Sequence, residues 1–221
     1  MEDSLPKFCQ KLDTFIGAYA AGKEEQNEQL IIELLDILDD SCDKKQKPKA
    51  VFKQLNSYLT HDLESFFYNY IYDQINKGNE TAASELLDNI YEYVEGSLWF
   101  DFLRIRLLRG VLPEDATAMM ARFLEKLKAK PDIELSFELL YYLIETAHKE
   151  LFINIYKHLL KEIQTEDHFL EMLEIIFEFY TLHDLEKEEN LIRALIQERK
   201  KLPLEQKVPL KDKKKLDKLI I

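Results

Sequence analysis

Residues Phe169–Leu182 read FLEMLEIIFEFYTL, and this stretch decides the fold. Its three glutamates, Glu171, Glu174 and Glu178, stand at i, i+3 and i+7. On a helix they form one narrow line along a cylinder that is otherwise apolar. A helix greasy almost all round is one covered on several sides by others. Residues 133–147 have the same character and carry Glu134 and Glu138, four apart and therefore neighbours on one helical face.

The helices that follow these two are different. Each has a clean apolar face: Phe152, Ile155, Tyr156, Leu159, Leu160 and Ile163 in one, Leu191, Ile192, Leu195 and Ile196 in the other. Upstream, Ala83, Leu86, Leu87, Ile90 and Val94 form a similar stripe, as do Ala116, Met119, Met120, Phe123, Leu124 and Leu127. No run of strict alternation competes, so the fold class is all-α. Helices are expected near 5–21, 24–42, 48–59, 62–77, 80–95, 98–109, 113–129, 133–147, 150–164, 167–182 and 185–201. Prolines 6, 48, 113, 131, 203 and 209 fall where helices begin or end. Gly22, Gly78, Gly96 and Gly110 are expected to stop helices, while Asn79, Ser97, Asp132, Thr165 and Asp184 are expected to cap their starts.

The greasy and amphipathic helices alternate with a period. Phe67, Phe102, Phe137 and Met172 stand 35 residues apart, and Met120, Tyr156 and Ile192 stand 36 apart. Such a period predicts stacked antiparallel helical hairpins, each burying its face against its neighbours. Four pairs follow residue 62, and a first pair at 5–42 is separated from them by an extra helix after Pro48. The organisation expected is one helical-repeat domain over residues 1–202, with a sub-boundary at 43–48, followed by a basic C-terminal tail at 203–221.

The segment Lys77-Gly78-Asn79-Glu80-Thr81-Ala82-Ala83-Ser84-Glu85-Leu86-Leu87 resembles the turn and second helix of a tetratricopeptide repeat. In that family a glycine precedes the turn and a small residue lets the paired helices approach. Gly22-Lys23-Glu24-Glu25, leading to Leu30, Ile31, Leu34 and Leu35, is similar but lacks the small residue. The other units show neither the Trp-Leu-Gly-Tyr series nor the closing proline. The resemblance implies a divergent tetratricopeptide-like α-solenoid of ten to eleven helices. It also implies binding of peptides or protein partners along a groove lined by first helices.

Composition removes several function classes. Only five glycines occur, never as GxG or GxxG, so neither the P-loop nor the dinucleotide-binding turn is present, and there is no GxSxG elbow. No apolar run approaches the ~20 residues that span a bilayer, and the first residues lack the features of a secretion signal. Cys9 and Cys42 read as two reduced thiols of a cytoplasmic protein, with a single bridge between them as the alternative. Glu145-x-x-His148 has di-iron spacing, but no other histidine has a glutamate three residues before it. HExxH is absent. Glu166, Asp167, His168 and Glu171 cluster at a helix start, where acidic residues favour the dipole. No catalytic, cofactor-binding or metal-binding residues are expected.

Charge is unevenly placed. The formal net is −12, but residues 131–190 carry 15 acidic and 4 basic side chains, and residues 191–221 carry 4 acidic and 10 basic. Such a surface repels a nucleic-acid duplex. If the greasy helices are first helices of hairpins, Glu134, Glu138, Glu171, Glu174 and Glu178 line an acidic groove suited to a basic peptide or amphipathic helix. The alternative for these five is the solvated edge of a soluble helix. The function expected is non-catalytic protein binding, as adaptor or assembly scaffold. The alternatives are a dedicated chaperone for a secreted or assembling partner, or an all-α enzyme with an unrecognised site. The basic tail is expected to compete for the groove, so that deleting 203–221 strengthens binding of a basic partner.

Overall fold

The computed structural model describes residues 4–23, 28–42 and 46–219, and the chain is all-α. Among the described residues there are twelve helices: α1 (Ser4–Ala20), α2 (Glu28–Cys42), α3 (Pro48–Asn56), α4 (Leu63–Asn76), α5 (Glu80–Ile90), α6 (Leu98–Val111), α7 (Pro113–Ala129), α8 (Ile133–Glu145), α9 (Lys149–Glu162), α10 (Glu166–Leu182), α11 (Glu186–Arg199) and α12 (Leu210–Asp217). Eleven match the predicted series, and α12 was read as tail. Residues 24–27, which include the Glu24 and Glu25 of the weaker repeat-like segment, lie outside the described residues. No described helix is long and apolar enough to cross a membrane.

The chain divides into two compact units, Met1–Lys126 and Leu127–Ile221, with the boundary inside α7. In the first, Phe15 and Tyr19 of α1 meet Phe66 of α4 edge-on, at 5.6 and 5.7 Å between ring centres. α4 packs against both α5 and α6, as paired and stacked helices do. Ala83, the small residue of the tetratricopeptide-like segment, is fully buried. Asp13 of α1 ties down the approach to α4 by accepting from the Thr60 amide at 2.9 Å and the His61 amide at 3.1 Å. Burial of that carboxylate works against its charge, but these amides and the His61 and Thr60 side chains outweigh it and hold its pKa below the ordinary value. Gly17 leaves room nearby, because a Cβ there would come within 3.2 Å of the His61 ring and press on it.

In the second unit α8 packs against α9 and α10, α10 against α11, and α12 against α9. α10 is enclosed as its composition demands. Phe169, Leu170, Met172, Leu173, Ile175, Ile176, Phe179 and Tyr180 are all buried, and Phe179 stacks on Phe152 of α9 at 4.4 Å. The 35-residue series lands where expected: Phe67, Phe102 and Phe137 are each the fifth residue of their helix, and all three are buried, as is Met172. The 36-residue series holds at Tyr156 and Ile192 but not at Met120, which is half-buried while Phe123 is the enclosed residue of α7.

Helix ends differ from expectation in instructive ways. Gly78 and Gly96 take positive φ (78° and 85°), where a Cβ is disfavoured. Gly110 does not stop α6, which continues to Val111. After α8 and α10 the left-handed positions are filled by Ala147 and Asp184, with φ of 56° and 54°. Asp132 caps α8 through the Leu135 amide, and Asp62 caps α4 through that of Ser65. Asn79, Ser97 and Thr165 precede their helices without a side-chain cap, and Asp184 lies one residue short of the cap position, which Leu185 occupies.

The reason Thr165 makes no cap lies at residues 203–208. The Glu166 amide donates to the Gln206 carbonyl at 2.9 Å and the Asp167 amide to Leu204 at 3.0 Å. Val208 donates back to Gln164 at 2.9 Å, closing an isolated bridge between Thr165 and Lys207. Orphan amides of the first turn of α10 are thus satisfied by backbone far along the chain. α12 then buries Leu216 completely, and Tyr180 donates its hydroxyl to the Leu219 carbonyl at 2.8 Å. Deleting 203–221 would therefore remove part of the second unit along with its lysines.

Candidate functional site

α8 and α10 are neighbours, and the side chains left outside their packed faces are the predicted glutamates. Glu134, Glu174 and Glu178 are exposed, whereas Glu138 and Glu171 are half-buried. Tyr141 of α8 reports how close they stand. Its phenol is pushed up to about 12, first by burial and then by Glu171, Glu178, Glu174 and Glu138. Four of the five carboxylates therefore act electrostatically on one phenol. The fifth, Glu134, lies 3.2 Å from Nε2 of His168 and also raises the pKa of Glu171. The structure brings all five predicted residues to one face.

Two basic side chains meet that face. His168 answers Glu134, and Lys200, just past α11, reaches Glu174 at 3.0 Å. No ion pair involves Glu171 or Glu178 among the described residues. Glu171 is held above the ordinary glutamate range, first by burial and then by Glu134, with Asp167 and Glu138 adding and His168 opposing. The folded state consequently keeps the Glu171 proton to higher pH than the unfolded chain does. Stability falls as pH rises through that window, and the deficit persists at neutral pH. Glu171→Gln is expected to raise the thermal midpoint at pH 7, with the difference closing below the ordinary glutamate value of about 4.3. Melting curves across pH check this, and no gain at pH 7 refutes it.

Sequence reasoning missed Tyr141, His168 and Lys200 as members of this face. Tyr141 read as a core residue with a wet tip, and its half-buried ring fits that, but its glutamate neighbours come mostly from another helix. His168 read as part of a helix start, and only the adjacency of α8 and α10 places it on Glu134.

A second polar cluster sits in the first unit. Asp101 is buried and accepts from the Tyr91 hydroxyl and from Lys126 Nζ, both at 2.7 Å. Arg104 lies 3.9 Å over the Tyr91 ring and pairs with Asp88. The groove beside them, of about 410 Å³, also admits Asp115 and Arg122. Burial and Asp101 push the Tyr91 phenol up to about 12, with Arg104 opposing. The two donors on Asp101 are thus accounted for by side chains of the unit itself.

Other chemistry weighed in the sequence disperses. Glu145 and His148 are separated by the left-handed turn at Ala147, so they share no helical face. Cys9 is buried, Cys42 half-buried, and both are free. Among the described residues no three His, Cys, Asp or Glu side chains gather to hold a metal ion.

No protein-family model, curated protein or solved structure matches this chain.

Proposed function

We propose that this chain is a non-catalytic protein-binding module, an adaptor or assembly scaffold acting in the cytoplasm. The α8–α10 face takes up a basic or amphipathic segment of its partner. The observation that carries the reading is the gathering of like charges on neighbouring α8 and α10, where Glu134 lies beside His168 of the other helix and Glu171 and Glu178 have no ion pair among the described residues. A plain solvated edge has no need to gather like charges at a cost. A partner presenting lysines at helical spacing relieves that repulsion and gains a half-buried aromatic ring to pack on. The tetratricopeptide-like character of the 77–87 segment supports the same class of function.

The test uses a fluorescent helical peptide with lysines at i, i+3 and i+7. The native chain is expected to bind it at low salt. Glu174→Lys combined with Glu178→Lys is expected to weaken binding by at least about tenfold, since each reversed charge turns an attraction into a repulsion. The helical circular dichroism signal stays unchanged, and Glu198→Lys, on exposed α11, leaves affinity alone. Equal affinity of the doubly reversed chain overturns the proposal.

A further inference from the structure

Lys211 and Lys214 of α12, with Lys218 at its C-terminal cap, repeat the spacing of the α10 glutamates with opposite sign. Lys211, Lys214 and Lys218 stand at i, i+3 and i+7, as do Glu171, Glu174 and Glu178. Each line therefore covers about 10 Å at 1.5 Å per residue. Resting on the reading above, we propose that a second copy of this chain is a partner of the acidic face, with the α12 stripe Lys211–Lys214–Lys218 of one copy laid along Glu171–Glu174–Glu178 of the other.

Three features of α12 prepare it for this. Leu216 is 0% exposed and fixes which side of the helix faces inward. Asp212 and Lys213 flank that inward side, one paired with Arg199 and the other donating to the Lys161 carbonyl at 3.2 Å. At 100° per residue, Lys211, Lys214 and Lys218 then point away from the unit, and all three are exposed. The stripe ends beside Leu210, which is 65% exposed and is an apolar side chain for the contact to cover.

The chain's own glutamates are not available to these lysines. α12 packs on α9 with its stripe turned outward, whereas the glutamates stand on α8 and α10. Meeting them within one copy would require pulling Leu216 out of the core. Between copies only the exposed Lys200–Glu174 pair has to be shared or exchanged. The contact joins two different surfaces, so each copy that uses one still presents the other, the arrangement that gives head-to-tail association.

Sedimentation equilibrium of the full chain tests this. In about 20 mM salt the average mass is expected to climb above that of the monomer with concentration, and about 0.5 M salt should weaken association at least tenfold, because these pairs are exposed. Lys211→Gln/Lys214→Gln/Lys218→Gln and Glu171→Gln/Glu174→Gln/Glu178→Gln are each expected to be monomeric. Their equimolar mixture should recover a species of twice the monomer mass, since each supplies the surface the other lacks. A native chain that stays monomeric up to about 1 mM, an affinity too weak to matter, overturns the proposal. So does association that survives either set of substitutions. If the monomeric chain nevertheless binds the lysine peptide, the acidic-face reading stands without this one. If it binds neither, both fall.

Discussion

Arg199→Met is expected to lower the unfolding free energy by about 3–5 kcal/mol, because it strands a buried charge. Arg199 is 6% exposed and Glu166 is 0% exposed. Their side chains meet at 2.7 Å, while the other arm of the guanidinium pairs with Asp212. Burial works against the charge on Arg199, but Asp212 and Glu166 outweigh it and raise its pKa further. With methionine in its place, the fully buried Glu166 carboxylate has lost its cation. The same argument predicts a rescue. Glu166→Leu added to Arg199→Met removes the fully buried carboxylate and leaves only Asp212, at the rim, without its cation, so it should return part of the loss, since a buried ion pair and an apolar replacement are close in free energy. Urea unfolding of the single and double variants decides it. A single variant within about 1 kcal/mol of the native chain, as for an ordinary surface change, would show the cluster to be dispensable.

Phe137→Ala is expected to cost about 3–5 kcal/mol, the range for deleting an enclosed aromatic side chain. Met120→Ala should cost about 1 kcal/mol or less, as a change at a half-buried position does. Both residues belong to regular series in the sequence, so periodicity alone ranks them together. Burial separates them: Phe137 is 1% exposed, whereas in α7 the enclosed position belongs to Phe123. Thermal unfolding of both variants checks the ranking. Equal losses would mean that Met120 is packed more tightly than its exposure indicates.

The contrast between these two residues shows what can be read from such a sequence. Phe67, Phe102 and Phe137 are legible because a first helix covered on several sides leaves little choice about which face is buried. A second helix with one covered face tolerates rotation by a residue or two, and α7 uses that freedom. α12 was invisible for a related reason. Leu216 is its one buried side chain, so there is no apolar stripe to detect, and Pro209 before it reads as an interruption. Gly110 read as a stop because glycine tolerates the left-handed turn, yet the turns after α8 and α10 are made at Ala147 and Asp184. Tertiary packing overrode local preference at each of these places.

The acidic face was half legible. Spacing within a helix put Glu134 with Glu138 and Glu171 with Glu174 and Glu178, and their union needed only that α8 and α10 be neighbours. Tyr141, His168 and Lys200 join by contacts between helices, or from beyond the end of one, and no spacing along the chain encodes those.

The bonds from Glu166 and Asp167 to the carbonyls of Gln206 and Leu204 also impose an order on synthesis. Every residue of the first unit is made by position 126, so that unit has all its partners early. α10 begins forty residues later but cannot satisfy the amides of its first turn from the chain until Gln206 is made, nor Tyr180 its hydroxyl until Leu219 has emerged. During translation at about 5–20 residues per second, a greasy helix waits several seconds for its closing segment. For that interval the nascent second unit is the part of this protein most exposed to aggregation, and to whatever in the cell guards unfinished chains.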